Sequence, residues 1–286
     1  MRLLKKILLR GLAALLVLVL VVVGVRLVNG WRYGSAEAGP DPRSLATYDL
    51  DQDGMSIEHV EGGYMNGFHL VPDEVTRDGV VVTFGGSEGS PDFARAVQLA
   101  GEGYEVYALF FFGQENQQAE LESVPVDFFT EVTARIETDA ARPGPLTVIG
   151  GSKGAELALV LAAADEALDS AVTIDNVVLY APTIYSYQGL VFSAEAPPSW
   201  TVDGQPVPFL SFQEASLGAL AGQLSAMAFN YPVSYRSTYA SMVDGADAAA
   251  EEAARLDPNA VPGGMLVFAG GDDAMWPSDV AAEQIG

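Results

Sequence analysis

Hydrophobic positions along this chain fall into three rhythms. The first is an unbroken apolar run over residues 11–25, rich in Leu and Val, with no charge and no polar face. A helix apolar all round is buried in a core or a membrane. Fifteen residues at ~1.5 Å rise cover about 22 Å, short of a ~30 Å hydrocarbon core. Residues 7–9 and 27–28 complete the span if Arg10 and Arg26 extend towards the headgroups. Arg2, Lys5, Lys6 and Arg10 precede the run, so the predicted element is a membrane anchor over 1–29. The competing reading is a cleavable signal peptide, with Ala36-Glu37-Ala38 as a small-x-small site lying late for that role. In both readings the heavier basic flank stays cytoplasmic and the rest faces outward. Residues 30–46 read as a linker rich in Gly, Ser, Pro, Ala and Glu.

The second rhythm is a set of short β-branched runs, and the third is apolar spacing of helical period between them. Strands are predicted over 63–71, 80–84, 104–110, 146–149, 176–180 and 265–269. Helices are predicted from an N-cap at Ser90 with Pro91 as first helical residue, over 126–138, and over 153–164. Phe93, Ala96, Val97 and Ala100 form one face of the first of these, which Gly101 closes. Strand–helix alternation implies an α/β fold with a mostly parallel sheet, placed over 47–286. About eighty residues separate the last two strands, too many for an ordinary connection. They are expected to form a cap at about 184–262.

Charge divides the chain in two. The 286 residues carry 14 Lys+Arg against 38 Asp+Glu, a net charge of −24. The first 32 residues hold six basics and no acid, so the remainder stands at −30 with Lys153 its one lysine. A body this acidic excludes nucleic-acid binding through a general electrostatic footprint. With no cysteine, disulfides, thiolate metal sites and a cysteine nucleophile are excluded as well.

The pattern G-x-S-x-G occurs at Gly85–Gly89 around Ser87 and at Gly150–Gly154 around Ser152. A nucleophile elbow needs a strand, a one-residue turn and a helix, with small flanking residues so that the turn can close. Ser152 has that context. Ser87 follows a strand, but its helix begins later, which suits a loop whose backbone N–H groups face an oxyanion. The expected donors are Gly86, Ser87 and the backbone N–H of Lys153. The Lys153 ammonium is expected to pair with Glu156, three residues along, or to be solvated. Asp273, four residues before Pro277 in a loop after a late strand, is expected to orient a histidine; Asp272 is expected to be a turn or supporting residue. Asp49-Leu50-Asp51-Gln52-Asp53-Gly54 begins like a calcium loop, but Val60 stands where a bidentate Glu is needed, so a turn is expected and no metal. No dinucleotide or P-loop fingerprint occurs, and no cofactor is expected.

Together these motifs resemble a known family. Thr83-Phe84-Gly85-Gly86-Ser87-Glu88-Gly89, Gly150-Gly151-Ser152-Lys153-Gly154-Ala155-Glu156-Leu157 and Gly271-Asp272-Asp273-Ala274-Met275-Trp276-Pro277-Ser278 are similar to acyl-CoA thioester hydrolases. The similarity is to the catalytic C-terminal domain that those enzymes share with bile acid-CoA:amino acid N-acyltransferases. Residues 108–113, 124–129 and Ser199-Trp200-Thr201-Val202-Asp203-Gly204 also match. The resemblance covers about 79–286 and implies an α/β-hydrolase fold, Ser152 as nucleophile and Asp273 as triad acid. The family's N-terminal immunoglobulin-like domain has no counterpart here.

The resemblance also implies a histidine after Asp273, whereas the chain holds only His59 and His69, both before the first core strand. The expectation is a sequence that stops short of the full domain, lacking that histidine together with the last strand and helix. Loss of catalysis would account for the histidine alone, and would leave strand 265–269 an unpaired edge. The implied reaction is acyl transfer from a thioester or ester through a Ser152 acyl-enzyme. Coenzyme A is a polyanion, however, and a −30 body attracts it poorly. Charge and outward topology pull towards a membrane-side esterase acting on neutral acyl esters, but the specificity of the motifs keeps an acyl-CoA thioesterase-like hydrolase as the expectation. A non-catalytic binding module on the same fold is a third expectation.

Overall fold

The computed structural model describes residues 2–34, 39–191, 193 and 195–286. The small-x-small site at 36–38 lies outside the described residues. Helix α1 (Arg2–Tyr33) carries the apolar run and continues into the predicted linker. Its side chains from Lys5 to Tyr33 are almost all exposed.

Strands β1 (Met55–Glu61) and β2 (Asn66–Pro72) form an antiparallel hairpin. The sequence reading has no β1. The turn before it matches expectation, with the Asp49 carboxylate accepting the Asp51 N–H at 3.0 Å. Strand β3 (Val80–Phe84) is wholly buried. Helix α2 (Phe93–Gly101) begins two residues later than the Ser90–Pro91 start predicted for it. Both residues are tied into the preceding loop instead: Ser90 Oγ donates to Glu88, and the Pro91 carbonyl accepts from Thr83 Oγ1. Asp92 then turns the chain through a left-handed conformation at φ 51°. Phe93, Ala96 and Ala100 are buried, as their spacing requires.

Next come β4 (Glu105–Phe110), the two-residue β5 (Val124–Pro125) and α3 (Phe129–Asp139), which follows one 3-10 turn. Strand β6 (Leu146–Gly151) leads directly into α4 (Lys153–Leu168), and β7 (Ile174–Tyr180) follows. After β7 the chain makes β8 (Trp200–Val202), β9 (Gln205–Pro206), α5 (Leu217–Ala228), α6 (Arg236–Gly245) and α7 (Ala248–Ala254). It returns through β10 (Met265–Phe268) and ends in α8 (Ser278–Ile285).

The main sheet has the order β1-β2-β4-β3-β6-β7-β10. β4, β3, β6, β7 and β10 are parallel, and β1 and β2 join antiparallel at one side. One apolar core joins β3, β4 and β6 to α3 and α4; another packs α2 against β2 and β4. A third lies among Tyr185, Tyr187, Leu210, Tyr239, Met242 and Trp276, tying the long insertion to the loop after β10. Parallel order places the C-terminal ends of β3, β6, β7 and β10 side by side, where open α/β sheets gather their sites.

Candidate active site

Ser152 is the single residue between β6 and α4, with φ 52° and ψ −116°. Positive φ in a residue with a Cβ costs on the order of 1–3 kcal/mol and persists only where neighbours enforce it. Here the Ser152 N–H donates to the Tyr180 carbonyl at 2.8 Å. Its own carbonyl accepts from the Ala155 and Glu156 N–H groups at 2.9 and 3.1 Å. The flanking glycines are sterically required. A Cβ on Gly150 would stand 2.0 Å from the Gly154 carbonyl oxygen, and one on Gly154 would stand 2.1 Å from that of Gly85.

The same contact brings the first glycine loop onto the elbow. A Cβ on Gly86 would lie 3.2 Å from Ser152 Cβ, a tight contact that Ser152 would have to yield to by a few tenths of an ångström. The three expected donors fare differently. As the first residue of α4, Lys153 has an N–H without an intrahelical acceptor. The Gly86 N–H is already engaged, donating to the Glu88 carboxylate at 2.9 Å. Ser87 stands exposed at the tip of the loop. Glu88 was not singled out from sequence; its one signal was an acid set inside a glycine loop.

Asp273 sits in the turn after β10. Its carboxylate accepts from the Met275 N–H at 2.8 Å and from Ser278 Oγ at 2.6 Å. Asp272 is exposed beside it. The Trp276 indole donates to the Ala181 carbonyl at 3.0 Å, and the Ala181 N–H to the Phe268 carbonyl at 2.7 Å. Since Tyr180 accepts from Ser152, the acid loop and the elbow hang on the same strand end. β6 and β10 are two strand spacings apart, about 10 Å.

Neither histidine reaches this place. His59 bonds Asn66 at 3.0 Å. His69 bonds Glu105 at 2.8 Å and stacks on Tyr107 at 4.1 Å. The β2 strand that carries His69 is three spacings from β6, about 14 Å.

The Lys153 side chain turns away from Ser152 into a closed polar knot. Its Nζ meets Glu156 Oε2 at 2.8 Å, Ser199 Oγ at 2.7 Å and the Tyr187 carbonyl at 3.3 Å. Glu156 Oε1 also accepts from Trp200 Nε1 at 2.8 Å and from the Tyr187 N–H at 3.1 Å. Both charges are fully buried. Burial pushes the Lys153 ammonium below its ordinary pKa, and Glu156 partly offsets that. The i,i+3 pairing was legible in sequence; its role in fastening the elbow helix to residues 187–200 was not.

A parallel sheet flanked by helices, a strand–serine–helix elbow and an insertion before the last strand define an α/β-hydrolase fold. Comparison with known proteins agrees. An esterase of Pyrococcus furiosus superposes over 88% of this chain and 83% of its own, with a TM-score of 0.51 at 13% identity, a likeness of fold. Acyl-coenzyme A thioesterase 1 of Homo sapiens is 30% identical over 138 residues, 48% of this chain and 32% of that protein. Acyl-coenzyme A thioesterase 6 of Homo sapiens is 29% identical over 145 residues, 50% of this chain and 34% of that one. Acyl-coenzyme A amino acid N-acyltransferase 1 of Mus musculus is 29% identical over 141 residues, 48% of this chain and 33% of its own. The chain thus spans about a third of the length of the curated relatives it matches. No protein-family model matches it.

Proposed function

We propose that this chain is an acyl ester or thioester hydrolase with Ser152 as its nucleophile. The observation that carries the reading is the strained one-residue elbow, φ 52°, at the C-terminal end of a central parallel strand. In this reading Ser152 Oγ attacks the acyl carbonyl while its proton passes through water to the departing alcohol or thiol, water then hydrolyses the acyl-enzyme, and the Lys153 N–H at the start of α4 holds the developing oxyanion. Gly86 and Ser87 complete the oxyanion loop once Glu88 gives up the Gly86 N–H. Asp273, its carboxylate fixed by Met275 and Ser278, is the triad acid. His59 and His69 take no part.

Similarity to thioesterases supports a thioester substrate, whereas the −30 charge of the body supports a neutral acyl ester. With α1 as an uncleaved anchor, 22 residues from 7 to 28 cover ~33 Å, a full hydrocarbon span, and the body lies extracytoplasmic. The histidine placement favours a second reading, an inactive hydrolase fold that binds acyl ligands. Fluorophosphonate labelling separates the two. A covalent adduct on Ser152, lost in Ser152→Ala and kept in Ser87→Ala, is expected; an unlabelled wild-type chain favours the binding module.

A further inference from the structure

The chain has a second exposed apolar surface, and α1 touches it. Residues 215–235 contain no charged side chain, although the body around them carries a net charge of −30. Helix α5 lies in this segment and buries none of its residues. Leu217, Ala221, Leu224 and Ala228 recur at helical period and share one face. Leu217 is 85% exposed and Leu224 67%, with Met227 and Tyr231 about half exposed. A solvated helix face is expected to be polar; this one is not.

The contacts with α1 fix where the C-terminal end of α5 lies. Arg26 donates to the carbonyls of Ala228 and Met227, at 2.5 and 3.4 Å. Asn29 donates to the carbonyl of Phe229 at 2.8 Å, and Tyr33 meets the ring of Tyr231 edge-on at 5.2 Å. A helix leaves its last carbonyls without intrahelical donors and its C-terminus partly negative, so a cation there is well placed. Arg26 stands two residues before Val28, where the apolar run of α1 ends. The C-terminal end of α5 is therefore held at the level where α1 leaves the hydrocarbon. Trp31, 88% exposed, Tyr33 and Tyr231 gather at that level, as aromatic side chains do at membrane–water boundaries.

We infer that residues 215–235, led by the apolar face of α5, lie in the headgroup–acyl boundary of the bilayer that α1 crosses. The inference rests on the anchor reading of α1. The helix, ~18 Å long, lies along the interface as a monotopic segment rather than spanning it. The lipids that fit are zwitterionic or uncharged. No Lys or Arg lies in the segment to attract anionic headgroups, and the acidic body repels them.

The absence of cysteine makes the test direct. Single cysteines are placed at Leu224, Leu16 and Asp53, labelled with an environment-sensitive fluorophore, in the full chain reconstituted in phosphatidylcholine vesicles. Quenching is read with lipids spin-labelled near the headgroup or at mid-chain. Leu224→Cys is expected to be quenched by the headgroup-proximal label at least about twofold more than Asp53→Cys, as for an interfacial helix. Leu16→Cys is expected to respond to the mid-chain label. Quenching at Leu16 without quenching at Leu224 overturns the inference and leaves the anchor standing. No quenching at either site overturns both. Energy transfer between labelled copies at Leu224 without lipid quenching assigns the face to a second copy and also overturns the inference. Leu217→Cys repeats the measurement at a site where a folding defect is not expected.

Discussion

Two residues in succession are held away from their ordinary states, Ser152 in its backbone and Lys153 in its side chain. The strain at Ser152 is borne by neighbours: the Tyr180 carbonyl, the α4 N–H groups and the glycines at 85, 86, 150 and 154. Lys153 is held by charge, beneath Trp200 and against Glu156. Removing one member of a buried pair leaves the other uncompensated, whereas removing both is far milder. Lys153→Met is therefore expected to destabilise the fold by about 3–5 kcal/mol. Lys153→Met combined with Glu156→Gln recovers most of that loss, because Gln can still accept from Trp200 and Tyr187. Urea midpoints of the single and double variants measure this. A fully additive double variant would show that the two charges do not meet.

At the scale of elements, the insertion between β7 and β10 is stitched to the segment after β10 through α6. Arg236 makes two bonds to Asp279, at 2.7 and 3.1 Å, and the Tyr235 N–H donates to the Ala274 carbonyl. The Arg236 hydrogen bonds hold the Asp279 carboxyl below its ordinary value of 3.8. A depressed folded pKa gives stability that is full above the ordinary carboxylate range and is lost as pH falls through the folded value. A carbon-detected titration is expected to place the Asp279 midpoint below 3.8, and Arg236→Gln to raise it towards that value. Much of this layer was legible in the sequence. The β-branched run of β3, the strand–serine–helix order at Ser152 and the spacing in α2 each specify an element through local chemistry alone. Less legible were β1, whose residues alternate only weakly, and the small sheet of β5, β8 and β9, where pairs of residues from distant segments meet. The start of α2 misled because Ser90 and Pro91 carry good helix-start chemistry but are claimed by Glu88 and Thr83. The Glu88 contact with Gly86 is a matter of loop shape, which no spacing encodes.

Across the whole molecule the dominant quantity is the −30 of the body. Such a field repels a polyanion over roughly a Debye length, ~10 Å at 0.1 M salt. If Ser152 is labelled by fluorophosphonate, an acyl-CoA competitor should protect it several-fold better as salt rises from about 10 to 150 mM, while an uncharged ester should show no such trend. Salt-independent protection by the CoA ester would mean that a local site overrides the global field. The other molecular-scale feature is the set of bonds from Arg26 and Asn29 to the end of α5. These bonds make the cap a passenger of α1. A transmembrane helix tilts to match the thickness of its bilayer. On the anchor reading proposed for α1, such a tilt would turn α5 and, through α6, pull on the loop that holds Asp273, so that bilayer thickness would become a mechanical input to that loop.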